Sequence, residues 1–141
     1  MTDHIVYPII FQHTWQRAVS EQDRALFTEL NACYQPEKGT LRYLPVRTGL
    51  THEGNLYATV IIQNATQERV QYEQSSLQYR IDHDTVATHT FSISDLQVQP
   101  ASCTPWTFLF PPETIEAEQR QNLTASLASL DSPHGPNWVV V

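Results

Sequence analysis

Glycine is scarce in this chain, 4 of 141 residues, and the scarcity removes whole classes of chemistry. Loops that cradle phosphates need several glycines at fixed spacing so that the backbone can approach the ligand, and no such run is present. Neither a G-x-S-x-G elbow nor an H-E-x-x-H helix occurs, so the local signatures of serine hydrolases and zinc proteases are missing. Cations are few as well. Eight Lys and Arg against 15 Asp and Glu leave a net charge of -7, and the cations never gather in more than pairs. A surface of this kind repels phosphate backbones and anionic lipid, so nucleic acid is not an expected partner.

Long apolar runs are missing too. No stretch of 18 apolar residues exists, which excludes a membrane-spanning helix. The N-terminal MTDHIVYPIIFQHTW carries Asp3 in place of a basic start, and Pro8 interrupts its apolar run, so it does not read as a secretory signal. The expectation is a cytoplasmic chain without membrane insertion, in which the Asn-x-Thr triplets at Asn64 and Asn122 are chance matches. Only two cysteines occur; without a secretory route, Cys33 and Cys103 are expected as free, buried thiols.

What is present is a globular body, 40% apolar with 9 prolines, long enough for its own core without disulfide or metal. Ser20 followed by Glu21, Gln22 and Asp23 reads as a helix N-cap and an acidic first turn. Leu26, Phe27, Leu30, Cys33 and Tyr34 then form one apolar stripe, and Pro36 and Gly39 stop the helix. From Thr40 the period becomes two. LRYLPV begins a strand, and LYATVIIQN, partly apolar on both faces, reads as a central strand. Short strands follow around Val70 and Tyr72, then Leu77, Tyr79 and Ile81, then Ala87, His89, Phe91 and Ile93, with Asp82 to Thr85 as a hairpin turn. Trp106, Phe108 and Phe110 place three rings on one face of the next strand. Ile115, Leu123, Leu127 and Leu130 suggest a weak helix, and NWVVV a final docked strand.

The pattern predicts a mainly β fold: an immunoglobulin-like antiparallel β-sandwich of about seven strands, with an N-terminal helix and a short helical segment before the last strand. Residues 1–39 form an apolar arm and helix packing on the sandwich, and residues 40–141 form the sandwich itself, within a single domain.

Candidate chemistry is thin. Asp82, His83, Asp84 and His89 have ligand chemistry for a divalent ion if His89 approaches Asp82 across the hairpin, but Asp-x-Asp in a tight turn ordinarily satisfies its own backbone. Cys103 could act as a nucleophile only if the fold brings His13, His52 or His89 to it. A sugar platform would need Trp15, or a tyrosine pair such as Tyr57 and Tyr72, on an exposed face. The expectation is therefore no catalytic, cofactor-binding or metal-binding residue. A metal-dependent or Cys-dependent hydrolase and a carbohydrate-binding sandwich stand as alternatives.

Taken in order, several pieces resemble the SLAP domain of Firmicutes, named from the S-layer assembly proteins that accompany an accessory Sec system. They are a Trp-containing arm and helix; IIQNAT at 61–66, at the place of an I-R-N strand end; Leu77 with Asp82; Ala87, Phe91 and Ile93 at A-x-x-x-F-x-L; Ser102, Pro105, Trp106, Thr107, Phe108 and Phe110 at S-x-x-P-W-T-F-x-F; and Trp138 in a last apolar strand. The chain departs from the family at Gln63, which replaces an arginine, at Thr104, which replaces a basic residue, and at the Asp82 turn, which lacks a glycine. The resemblance implies a non-catalytic interaction module, an adaptor or assembly factor for S-layer assembly or accessory Sec export. Its partner would be a secretion or surface-layer protein, or a second copy forming a homodimer through the apolar arm.

Overall fold

The computed structural model of the chain describes residues 7–12, 18–129 and 137–141. Helix α1 (Glu21–Cys33) leads into strands β1 (Leu41–Leu50), β2 (Leu56–Asn64), β3 (Val70–Ile81), β4 (Asp84–Val98) and β5 (Ser102–Phe110). A 3-10 turn (Pro112–Thr114), helix α2 (Ala117–Ser129) and strand β6 (Trp138–Val140) follow. Six strands among the described residues form two antiparallel sheets, ordered β1-β2-β5 and β4-β3-β6. The chain is thus mainly β, with a helix before the sandwich and short helices before the last strand, as the periodicity predicts. β2 is central in its sheet, in keeping with its two apolar faces.

The strand count is six because two expected short strands are one. Val70–Tyr72 and Leu77–Ile81 run together as β3, and the irregularity between them is a single residue, Gln74, with φ 50°. Its N–H turns to the Ser92 hydroxyl at 3.0 Å, so a left-handed residue kinks the strand without ending it.

Ser20 caps α1 as expected, its hydroxyl accepting from the Asp23 N–H at 3.0 Å. The buried face of the helix is set differently from the apolar stripe. Phe27 and Asn31 are its buried residues, whereas Tyr34 is the C-cap and 56% exposed. Cys33 is exposed as well, which corrects the expectation of two buried thiols. The reason is that Asn31 must face inward to meet polar partners, and this turns the Cys33 side of the stripe to water. Both cysteines are free.

The chain divides into two compact units. The first comprises Met1–Leu44, Ile61–Tyr72 and Ile93–Trp106, the second Pro45–Val60, Glu73–Ser92 and Thr107–Val141, so β1 to β5 each contribute to both. In the first unit Phe27, Ile61, Ile62, Leu96 and Val98 are buried, and Phe11 packs its ring 6.2 Å from that of Phe27. Tyr7 and Phe11 are both buried, so the described part of the apolar arm lies against its own unit.

In the second unit the core is aromatic. Phe91 stands edge-on to Phe108 at 5.1 Å and to Phe110 at 5.3 Å, a geometry that suits the ring quadrupoles. Leu109, between the two buried rings, is 47% exposed, as strand alternation requires. Trp106 differs: it is half-buried and belongs to the first unit. The hairpin turn holds two non-glycine residues in the left-handed region, Asp82 (φ 48°) and His83 (φ 76°), the backbone that tight two-residue hairpins favour. The Asp82 carboxylate accepts from the Asn137 N–H at 3.1 Å, and its own N–H donates to the Asn137 carbonyl at 2.9 Å. These contacts hold the turn without glycine and start β6 on its register, which pairs Tyr79 with Val140 and Ile81 with Trp138.

Candidate functional site

The polar residues at the end of β2 are committed to structure. Gln63 and Asn64 are fully buried, and burial of an amide without partners would cost several kcal/mol, on the order of 2 to 7. Every bond they need is supplied. Gln63 Nε2 donates to Asn31 Oδ1 at 3.1 Å and to the Tyr34 carbonyl at 2.8 Å. Arg42 Nε donates to Gln63 Oε1 at 2.8 Å, and Nη2 to the same Tyr34 carbonyl at 2.6 Å. Asn31 Nδ2 in turn donates to the Tyr7 carbonyl at 2.9 Å. One lattice therefore joins the arm, α1, β1 and β2. Asn64 holds a second junction, donating to the carbonyls of Glu68, Val98 and Gln99 at 2.8, 3.1 and 3.2 Å. Asn64 thus ties the β2–β3 and β4–β5 connections to one strand end. No buried side-chain nitrogen or oxygen among the described residues lacks a partner.

Cys103 lies under the arm. Its N–H donates to the Pro8 carbonyl at 2.9 Å, and its carbonyl accepts from the Ile10 N–H at 2.7 Å, a parallel bridge centred on Ile9. Burial pushes its thiol up to about 11, opposed by a bond from Asn31. A thiol held neutral at physiological pH is a poor nucleophile. The described residues of its unit include no histidine to serve as a base, and His13 lies outside the described residues.

The other candidates are dispersed. Asp82, His83 and Asp84 are exposed around the turn, and His89 is five residues along β4 from Asp84, roughly 16 Å at the rise of an extended strand. It does not approach Asp82. His89 is instead half-buried, edge-on to Phe91 at 4.7 Å. Among the described residues no three His, Cys, Asp or Glu side chains come together as a metal site. His52 is exposed in the β1–β2 turn.

The tyrosine platform does not form. Tyr72 is buried and shares a 2.8 Å hydrogen bond between hydroxyls with Tyr43; burial pushes both phenols up. Tyr57 is half-buried, its ring lying where a Cβ on Gly49 would come within 2.6 Å of the hydroxyl. Trp138 is half-buried and stacked on Tyr79 at 5.5 Å. Trp15, the remaining ring of that reading, lies outside the described residues, as does Leu130 of the weak helical pattern.

Edges and loops are what the fold leaves open. β5 is flanked by the arm at Ile9, and β4 receives the Glu116 N–H on the Val86 carbonyl at 2.7 Å and the Gln12 amide on the Gln97 carbonyl at 3.1 Å. Among the described residues no backbone group pairs with the outer edge of β1 or of β6. Leu41 and Leu50 at the two ends of β1 are 41% and 37% exposed, and Val139 in β6 and Val141 beside it are 40% and 49% exposed. Two loops of the first unit, residues 38–41 and 65–70, also line an open cavity of about 500 Å³ rimmed by Lys38, Glu68 and Arg69. Sequence periodicity does not mark this site, because two turns far apart in the chain make it. Among the described residues no helix is long and apolar enough to cross a membrane.

No curated protein and no solved structure matches the chain at a significant level. The family model described as the SLAP domain matches residues 9–129, which takes in the arm from Ile9, α1, β1 to β5 and α2. The chain belongs to the SLAP domain family.

Proposed function

We propose that this chain is a non-catalytic protein-interaction module, an adaptor or assembly factor that serves S-layer assembly or accessory Sec export from the cytoplasmic side. Membership of the SLAP family supports the setting. The observation that carries the mode of action is the placement of exposed apolar side chains on the two bare edges: Leu41 and Leu50 at the ends of β1, Val139 and Val141 at β6. Strand edges are ordinarily blunted by charge or proline, and an edge that keeps apolar side chains in water is suited to accept a partner strand. Pro45 and Arg47 blunt the middle of β1, which leaves its ends and β6 as the receiving positions. The buried amides and the buried thiol support the non-catalytic part of the reading, since their polar atoms are engaged in holding the fold.

The test is affinity capture with the tagged chain from its native cells, followed by mass spectrometry. Surface-layer or export proteins should be recovered, and their recovery should fall when Leu41 and Val139 are replaced by Asp. Recovery of metabolic enzymes alone, or capture indifferent to both substitutions, would overturn the proposal.

A further inference from the structure

We infer that the cavity beside Lys38 docks an acidic and aliphatic peptide segment of a partner protein, an inference that rests on the interaction-module reading and names the place and the chemistry. The cavity is preformed. The Gly39 N–H donates to the Ala65 carbonyl at 2.7 Å, the Ala65 N–H to the Thr40 carbonyl at 2.9 Å, and Asn64 holds the Glu68 carbonyl at 2.8 Å. Both walls are fixed before any ligand arrives, so little ordering entropy opposes binding. The floor is apolar: Leu41 is 41% exposed, Ala65 is buried and Val70 is half-buried.

Charge selects the occupant. Lys38 is the only lysine in the chain, it is exposed, and among the described residues it has no hydrogen bond or ion pair. Other cations are engaged. Arg24 lies over the Phe11 ring at 4.5 Å, Arg42 holds Gln63, Arg80 holds Gln78, and Arg120 donates to the Pro112 carbonyl. Arg69, on the same rim as Lys38, is steadied by the Gln71 amide oxygen, which accepts from its Nε at 2.9 Å in the amide orientation that its neighbours favour. Two cations beside one carboxylate, Glu68, invert the sign of a chain that carries -7. Such a rim over a hydrocarbon floor suits Asp or Glu next to Val, Ile or Leu.

The single lysine makes the test direct. Reductive ¹³C-methylation preserves the charge and gives one lysine side-chain NMR signal. Titration of the full chain with a blocked peptide in which Asp and Glu alternate with Val should shift that signal saturably. Lys38→Gln should weaken binding about threefold and Lys38→Glu about tenfold, the loss and reversal of one exposed ion pair. Leu41→Ser should weaken it through the floor, and a peptide with Asn and Gln in place of the acids should bind at least about threefold more weakly. An unmoved Lys38 signal, equal affinity for the acidic and amide peptides, or stronger binding by an aliphatic peptide whose only carboxylate is a free C-terminus would overturn the inference. If Lys38→Glu captures the same native partner as the unaltered chain, the site is refuted while the module reading stands. If the peptide binds at Lys38 but the chain captures no export or surface-layer protein, the module reading falls instead.

Discussion

Asn64 offers the sharpest test of how the fold is held, because one side chain serves three carbonyls and one N–H at a strand end. Its two amide hydrogens are shared among the Glu68, Val98 and Gln99 carbonyls, and its Oδ1 accepts from the Thr66 N–H at 3.1 Å. Asn64→Ala removes these bonds and leaves buried backbone acceptors without donors. With each net bond worth about 1 kcal/mol and each stranded group about 1 to 3 kcal/mol, and with part of the loop reaching water, the loss should be about 3 to 5 kcal/mol. At this chain length that lowers the melting temperature by about 10 to 15 °C. Asn64→Asp is a sterner perturbation, since it sets a carboxylate oxygen against three carbonyl oxygens. The introduced carboxyl then has a folded-state pKa above its unfolded value of about 3.9, because only the protonated form can donate. Its contribution is retained below pH 4 or so and lost as pH rises through the folded value, so the deficit relative to the unaltered chain grows with pH. Urea unfolding followed by tryptophan fluorescence at several pH values measures both effects, with m unchanged if only stability moves. A loss below about 1 kcal/mol for Asn64→Ala, or a pH-independent deficit for Asn64→Asp, would refute the reasoning.

Other expectations follow from single contacts. A thiol reagent should label Cys33 quickly and Cys103 only after unfolding, since one is exposed and the other buried; two fast thiols would contradict the placement. Burial pushes Cys103 up to about 11 and Tyr79 up to about 12, so both groups ionise first in the unfolded chain. Their contribution is intact below the ordinary thiol value of 9.0 and is lost as pH rises through the folded values, and Cys103→Ala should flatten the lower part of that decline in a pH series of melts. Deleting residues 137–141 removes buried Val140, the Trp138 stack on Tyr79, and the paired bonds of Gln78 with Val141 at 2.8 and 3.0 Å. A net cost of about 2 to 4 kcal/mol is expected once the entropy of the freed residues is counted, and an unchanged melting temperature would argue against a docked strand. Gly49→Ala should cost about 1 to 3 kcal/mol, because the added methyl meets the Tyr57 ring; a neutral result in calorimetry would mean that the ring moves freely.

Local signals were readable in the sequence where one segment determines its own structure. Ser20 with its acidic first turn, the two apolar faces of β2, the Asp82 turn, the Phe108 and Phe110 face and the docked tail all follow from period and turn chemistry. What was not readable depends on partners distant in the chain. Asn31 sits inside an apolar stripe and looks like a flaw until Gln63 and Tyr7 come to meet it, and it is Asn31 that turns Cys33 outward. The polar pair Gln63 and Asn64 at the end of an apolar run was the one available hint of that lattice. Gln74 hides a kink inside a strand because a single left-handed residue leaves no periodic trace. The Lys38 rim needs two turns brought together and has no signature in either.

On the reading proposed for it, this SLAP domain receives a partner at its strand edges and carries out no chemistry in its interior. Hydrogen–deuterium exchange of the full chain, with and without a surface-layer or export protein recovered by capture, decides between edge and interior. Protection should appear in residues 41–50 or 138–141, with 65–70 alongside, while the amides of β2, central in its sheet, stay unchanged. Protection confined to α1 and the arm, or no change at β1 and β6 under saturating partner, would rule out a receiving role for the two edges.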